Sequence, residues 1–262
     1  MNYERFETIR FSTKERIAEI ILNRPEVHNS VNYQMASDIA EALKLCRDDE
    51  IKVVVLRGEG KSFCSGADIR AFIEMYNNPQ KLTEFGDIFH NGIIKAIREL
   101  PKPVIAEAKG YIFGGGLSII LASDYAIASE DTTFSSGFAR IGLSPDTGSS
   151  FFFPRATTMK RAFELMSTAR RFDAKEALGY GIVTEVVPPT SLEARVNEVA
   201  KMYLRMPSKV IASIKQLLNV SYSNNLEEHL KLEMEHVMRT ARTEDFREGI
   251  KAFIEKREPE FK

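Results

Sequence analysis

The stretch that most constrains this chain is residues 103–128, PVIAEAKGYIFGGGLSIILASDYAIA. A strand-length apolar run, Val104 to Ala106, leads to a turn at Gly110 and then to three successive glycines, Gly114, Gly115 and Gly116. An apolar helical run, Leu117 to Ala122, follows at once. Glycine is favoured where backbone bends sharply or comes close to another group. Three of them before a helix leave bare N–H groups at a helix N-terminus, whose partial positive charge favours an anion or a developing oxyanion. Taken alone, the stretch reads first as a tight strand-to-helix turn that binds nothing.

The remaining chain alternates short strands with helices. Residues 6–11 and 17–22 predict an opening hairpin joined by the polar turn 12–16. Asn32 predicts an N-cap for a helix with Met35, Ile39, Leu43 and Cys46 at helical spacing. Residues 53–56 and 125–128 predict buried strands, and a helix is expected from about Ala67. Leu82, Phe85, Phe89, Ile93 and Ile97 mark a long amphipathic helix that stops before Pro101 and Pro103. This is an α/β arrangement. Asp173 to Glu176 and Thr190 to Glu193 both have the spacing of a capping box. From residue 191 the pattern is helical, with breaks near Pro207 and at 221–225 and a final helix over 244–256. A boundary near Pro188-Pro189 divides 1–189 from a helical region, 190–262. A tail this rich in Leu, Met and Ile suits either contact with a neighbouring subunit or cover for its own domain.

Composition narrows the function classes. The 262 residues are 44% hydrophobic and 28% charged, a globular balance, and the net charge of −1 gives no reason to expect nucleic-acid binding by phosphate neutralisation. No apolar run approaches the ~20 residues of a membrane span, and the first ten residues hold no apolar signal core. Cys46 and Cys64 make neither a disulfide framework nor a zinc set, so the cytoplasm is the expected compartment. His28, His90, His229 and His236 are scattered without ligand spacing, and no metal is expected. Gly60-Lys61-Ser62 resembles the end of a phosphate-binding loop, but Val55 stands where that loop needs its first glycine. The central glycines lack dinucleotide-fingerprint spacing, and Ser144 and Ser149 lack a nucleophile-elbow context. Cys64 reads as a small core residue before it reads as a nucleophile.

A second corner changes the weight of the first. Residues 62–69, SFCSGADI, also follow a buried strand and lead into a helix. Two such corners can each supply one backbone N–H to a single oxygen, the geometry of an oxyanion hole. The combination of NRPEVHNS (23–30), SFCSGADI (62–69), KPVIAEAKGYIFGGG (102–116) and REGIKAFIEKR (247–257) resembles the crotonase, or enoyl-CoA hydratase/isomerase, superfamily over nearly the whole chain. The resemblance implies a spiral of ββα units with an α-helical C-terminal trimerisation region, and a homotrimer or dimer of trimers. It implies an acyl-CoA thioester as substrate, with coenzyme A part of that substrate and no separate cofactor. The thioester oxygen would be held by the N–H groups of Ala67 and Gly115. Coenzyme A would lie along Glu26, Val27, Ser65, Ala67, Asp68 and Ile69, with Phe253 and Lys256 of the last helix at its nucleotide end, often from the next subunit. By residue pattern alone, Phe253 and Lys256 are simply part of an amphipathic helix. Residues 74–76 and 81–89 are expected to shape the acyl pocket.

The chain departs from the hydratases of that superfamily at two places. They carry a glutamate two residues past the glycine triplet and another in a later Pro-Glu step; the matching positions here are Ser118 and Phe138. Neither can act as a water-activating base at neutral pH. What the sequence offers instead is Asp146, in IGLSPDTG (141–148). That aspartate after proline, with FFFPR (151–155) and the stretch 243–261, is similar to the branch that includes the ring-opening isomerase of phenylacetate breakdown, which uses a lone aspartate as acid and base. The resemblance implies an enoyl-CoA isomerase using Asp146. A hydratase or dehydratase with an unusual acid/base, and a catalytically silent acyl-CoA-binding subunit, remain as alternatives. Phe138 and Phe151 to Phe153 are expected to keep the aspartate in an apolar setting. Residue pattern alone makes Asp146 a helix N-cap.

Overall fold

The computed structural model describes residues 2–3 and 5–261. Among the described residues ten strands, β1 (Asn2–Tyr3), β2 (Ile9–Lys14), β3 (Ile17–Leu22), β4 (Val53–Gly58), β5 (Val104–Ala108), β6 (Tyr111–Phe113), β7 (Tyr125–Ser129), β8 (Thr133–Ser135), β9 (Phe172–Asp173) and β10 (Glu185–Val187), form two sheets. The larger runs β1-β2-β3-β4-β5-β7-β10, antiparallel from β1 to β3 and parallel from β3 to β10. The smaller runs β6-β8-β9. Chain order therefore steps repeatedly from a long strand in the first sheet to a short one in the second and then into a helix, the ββα unit expected from the sequence.

The helices are α1 (Tyr33–Leu45), α2 (Ile69–Tyr76), α3 (Pro79–Asp87), α4 (Ala96–Glu99), α5 (Gly115–Ala122), α6 (Ser149–Ala156), α7 (Met159–Thr168), α8 (Ala174–Gly179), α9 (Leu192–Leu204), α10 (Ser208–Val220), α11 (Leu226–Thr240) and α12 (Glu244–Glu255). Both faces of the parallel strands are covered, which is why residues 53–56 of β4 and 104–106 of β5 are continuously apolar rather than alternating, with the buried Arg57 and Glu107 that follow them paired to each other. Val54, Leu56, Val104 and Ala106 turn into the main core, whereas Val53, Val55, Ile105 and Ile127 meet Leu192, Val196 and Val199 of α9 on the other face. Burying side chains of this size contributes about 1.5–3 kcal/mol each before conformational entropy is counted. Thus α9, on the far side of the boundary expected at 189/190, packs on the sheet of the first part.

Several expectations need correction. The first hairpin strand is Ile9–Lys14, not 6–11: Phe6 stays outside the strand and meets Phe11 edge-on, ring centroids 6.0 Å apart. The hairpin turns on Glu15 and Arg16, both at positive φ (50° and 64°). The second helix begins at Ile69, with the Asp68 side chain accepting from the Arg70 N–H as its cap. The long helix expected around 82–97 is three joined segments, because Ile88–Lys95 between α3 and α4 is π-helical. The capping box at Asp173 and Glu176 forms, while Ser191 caps α9 without any side-chain bond. Last, α12 ends at Glu255, and Lys256 is its left-handed C-cap.

Candidate active site

The two corners meet. Cys64 bridges Ile112 in parallel, and the Phe113 N–H donates to the Cys64 carbonyl at 3.1 Å. A Cβ on Gly116 would lie 2.3 Å from that same carbonyl oxygen, closer than any real contact, so only glycine lets α5 start here. Gly66 has φ +97°, and a Cβ there would lie 3.0 Å from the Phe113 carbonyl. On the 62–69 corner, the Val31 N–H donates to the Gly66 carbonyl at 2.7 Å and the Asp68 N–H to the Val31 carbonyl at 2.9 Å. That bridging leaves the intervening Ala67 N–H without an acceptor among the described residues. Gly115 is the first residue of α5, and its N–H likewise finds no acceptor among them.

Ala67 and Gly115 open onto one cavity of about 320 Å³, at the small end of the ~300–1,000 Å³ usual for small-molecule sites. Its wall is aromatic: Phe72, Phe85, Phe89, Phe113 and Phe138, joined by Ile141 and Leu143. Phe85 and Phe89 came from the expected 81–89 segment. Met75 is buried and Glu74 lines a neighbouring cleft instead, and the side chain of Tyr76 lies outside the described residues. Phe151 to Phe153, expected to shield the aspartate, do not line the cavity: Phe153 is buried in the core, and Phe151 is half exposed under the Arg155 guanidinium at 3.5 Å.

Asp146 lines the same cavity as Ala67 and Gly115. It is not an N-cap. Gly148 occupies that position, and no side chain caps α6. The residue as a whole is exposed on its loop, yet its neighbours crowd the carboxyl away from water. This desolvation raises the carboxyl pKa above the ordinary aspartate value, while the charge of His90 pulls the other way. His90 reaches the loop directly, its Nε2 hydrogen-bonded to the Asp146 carbonyl. The sequence carries no local signal for that contact, since His90 and Asp146 are brought together only by the fold. Arg140 and Arg171 also line the cavity and were not anticipated; Arg171 lies over the rings of Tyr111 and Phe113.

The two positions where hydratases carry glutamate are occupied in different ways. Ser118 is fully buried, and its hydroxyl bonds to the Thr147 hydroxyl at 2.6 Å. Phe138 forms part of the cavity wall. Cys64 is no nucleophile: burial pushes its thiol up to about 12, so it stays protonated. Among the described residues no group of His, Cys, Asp and Glu is arranged to hold a metal ion.

The residues expected along coenzyme A separate into three places. Ser65, Ala67, Ile69 and Gly115 line the main cavity. Val27, Asp68 and Ile69 line an adjoining cleft, with Ile69 common to both; Glu26 and Val27 lie on the short turn Pro25–Val27, and the Ser65 hydroxyl reaches the Val27 carbonyl at 3.4 Å. The Asp68 carboxyl is already engaged. Desolvation alone would raise its pKa, but the Arg24 pair at 2.9 Å and the Ala71 and Arg70 N–H groups outweigh that and hold it low. Phe253 and Lys256 are not at the cavity of this chain. Phe253 lines a separate groove with Pro207, Val210 and Phe261, and Lys256 is exposed at the end of α12.

Residues 12–262 match the family model described as enoyl-CoA hydratase/isomerase. The chain is 36% identical to a probable enoyl-CoA hydratase of Rhodobacter capsulatus, over 98% of both chains. It is 33% identical to the trans-2-decenoyl-[acyl-carrier-protein] isomerase of Streptococcus mutans, over 98% of both, and 32% identical to the 1,2-epoxyphenylacetyl-CoA isomerase of Escherichia coli, over 97% of this chain and 98% of that one. An enoyl-CoA hydratase structure from Polaromonas sp. JS666 superposes with a TM-score of 0.92 at 30% identity, covering 97% of this chain and 99% of that one. The structure of a putative enoyl-CoA hydratase from Streptomyces coelicolor A3(2) gives 0.94 at 28% identity over 99% of this chain and 96% of that one. Proteins of both reaction types match at similar identity, so the comparisons carry the family and its fold and not the branch. The chain belongs to the enoyl-CoA hydratase/isomerase family, the crotonase superfamily.

Proposed function

We propose that this protein is an enoyl-CoA isomerase in which Asp146 is the single acid and base. The observation that carries the reading is the placement of one carboxyl, with a raised pKa, in the same apolar cavity as the N–H groups of Ala67 and Gly115. A 3-enoyl-CoA bound there loses a proton from C2 to the Asp146 carboxylate. The electron pair moves toward the thioester oxygen, where the two N–H donors and the N-terminus of α5 receive the charge; one such donor is worth ~3 kcal/mol of barrier. The protonated Asp146 then returns the proton at C4, and the product is the conjugated 2-enoyl-CoA with no net gain or loss of protons. A raised pKa helps the first half of this cycle, because a more basic carboxylate takes the C2 proton more readily.

The hydrophobic wall supports isomerisation over hydration, since Ser118 and Phe138 stand where two water-handling carboxylates would be needed. A hydratase is the second reading, favoured by the name of the Rhodobacter capsulatus relative. Separate incubations with a 3-enoyl-CoA and a 2-enoyl-CoA decide between them. Isomerisation predicts conjugated product from the first and no 3-hydroxyacyl-CoA from either. Accumulation of 3-hydroxyacyl-CoA from the 2-enoyl substrate replaces the isomerase reading with the hydratase one. Tight acyl-CoA binding without deuterium exchange at C2 in heavy water identifies a silent binding subunit.

A further inference from the structure

The His90 imidazole is close to the proposed acid/base and plays no part in the chemistry just described. It projects from the π-helical stretch Ile88–Lys95, one residue after Phe89, whose ring lines the cavity and sits against Gly115. Its Nε2 contacts the backbone carbonyl of Asp146. A carbonyl only accepts, so Nε2 carries the proton whether the ring is neutral or an imidazolium. In the loop that presents Asp146, Gly142 and Gly148 at the ends both have positive φ (70° and 81°), the Leu143 N–H bonds back to the Phe138 carbonyl at 3.1 Å, and the buried Thr147 hydroxyl bonds to Ser118 at 2.6 Å, so His90 is a further tie on the Asp146 backbone itself. π-helical turns inside longer helices recur at functional sites.

We infer that His90 is the positioning residue for Asp146: by donating to the Asp146 carbonyl it fixes the loop so that the carboxyl faces the cavity that holds the two free N–H groups. The inference rests on the isomerase reading for its kinetic consequence but not for the contact itself. His90 also adds a charge beside the carboxyl, which opposes the effect of desolvation on Asp146. The other charged residues of the cavity wall are Arg140 and Arg171, and Asp87 precedes His90 by three residues at the end of α3.

The test compares His90→Ala, His90→Gln and Asp146→Asn in the full-length protein. His90 is exposed, so neither of its variants is expected to lower the thermal midpoint. His90→Ala is expected to reduce kcat about 10- to 100-fold, the usual consequence of a misplaced reacting group, with KM for the acyl-CoA little changed. The Asp146 carboxyl, followed by carbon-13 NMR of labelled aspartate and assigned by its loss in Asp146→Asn, is expected to titrate at higher pH in His90→Ala than in the parent. His90→Gln keeps a donor but no charge; it should recover most of kcat while leaving the titration at the higher pH. The His90→Ala change should add nothing in an Asp146→Asn background. Unchanged kcat together with an unchanged Asp146 titration in His90→Ala overturns the inference. If Asp146→Asn is fully active while the titration still moves in His90→Ala, the isomerase reading fails and the positioning contact stands.

Discussion

At the residue scale, the Asp146 carboxyl sits in a setting that favours its protonated form. Asp146 is crowded by its neighbours in the folded protein, so its pKa lies above the value it has in the unfolded chain. Such a group makes no favourable contribution at neutral pH. The folded state binds the proton more tightly than the unfolded one, and stability relative to an uncharged residue falls as pH rises from the unfolded value, about 3.9, through the folded one. Asp146→Asn is therefore expected to melt at the same temperature as the parent or higher at pH 7, with the difference closing below pH 4. Differential scanning calorimetry across that range checks this, and a lower midpoint for the variant at neutral pH contradicts it. A carboxyl whose pKa is raised, in a cavity with the Ala67 and Gly115 N–H donors, is placed as functional groups are placed. Asp68 shows the opposite case. Its carboxyl is paired with Arg24 and caps α2, which makes it a structural group within the candidate coenzyme A path.

At the scale of elements, the corner between β6 and α5 is the tightest joint in the site. Gly116→Ala drives a methyl carbon into the Cys64 backbone, which cannot swing away as a side chain end can. Overpacking of this kind costs about 1–3 kcal/mol, and here it also pries apart the two corners. The expected result is a lower unfolding midpoint in urea and loss of activity together; an active variant of parental stability would show that the corners do not need this contact. The corners were legible in the sequence because glycine runs and strand-length apolar runs are local signals. Residues 53–56 of β4 were equally legible, as an unbroken apolar run suits a strand buried on both faces, whereas its end at Arg57 and Gly58 was not. The hairpin start was misplaced because Glu15 and Arg16 adopt positive φ without the glycine or asparagine that announces such a turn. The π-helical stretch was invisible because Leu82, Phe85, Phe89, Ile93 and Ile97 read as one amphipathic face whatever the local pitch. The aromatic shield was assigned to Phe151 to Phe153 because they are near Asp146 in sequence, whereas the fold supplies Phe72, Phe85, Phe89 and Phe113 from other elements. The His90 contact spans 56 positions and leaves no trace in either neighbourhood.

At the scale of the molecule, α9 closes the sheet while the last three helices leave apolar side chains uncovered. Leu218, Leu226, Leu230, Met234, Phe253 and Ile254 are each more than half exposed, and Phe253 reaches 85%. Surfaces of that kind are unusual on a protein that stays alone in solution. We propose that this face joins copies of the chain into a trimer or dimer of trimers and carries Phe253 and Lys256 toward a neighbour's acyl-CoA. Sedimentation velocity is expected to show a species of three or six chains. Lys256→Ala is expected to raise KM for an acyl-CoA severalfold with kcat little changed, since a contact at the far end of the ligand binds substrate and transition state alike. A monomer in solution, or a Lys256→Ala variant that loses kcat alone, contradicts this arrangement.

In the proposed reaction one aspartate moves a proton along an acyl thioester whose oxygen is held by Ala67 and Gly115. This is tested most directly by the rate at which Asp146→Asn converts a 3-enoyl-CoA to its conjugated isomer, measured beside the parent protein and with acyl-CoA affinity determined for both. The account predicts a kcat lower by about 10² to 10⁴ with affinity retained; turnover close to that of the parent would contradict it.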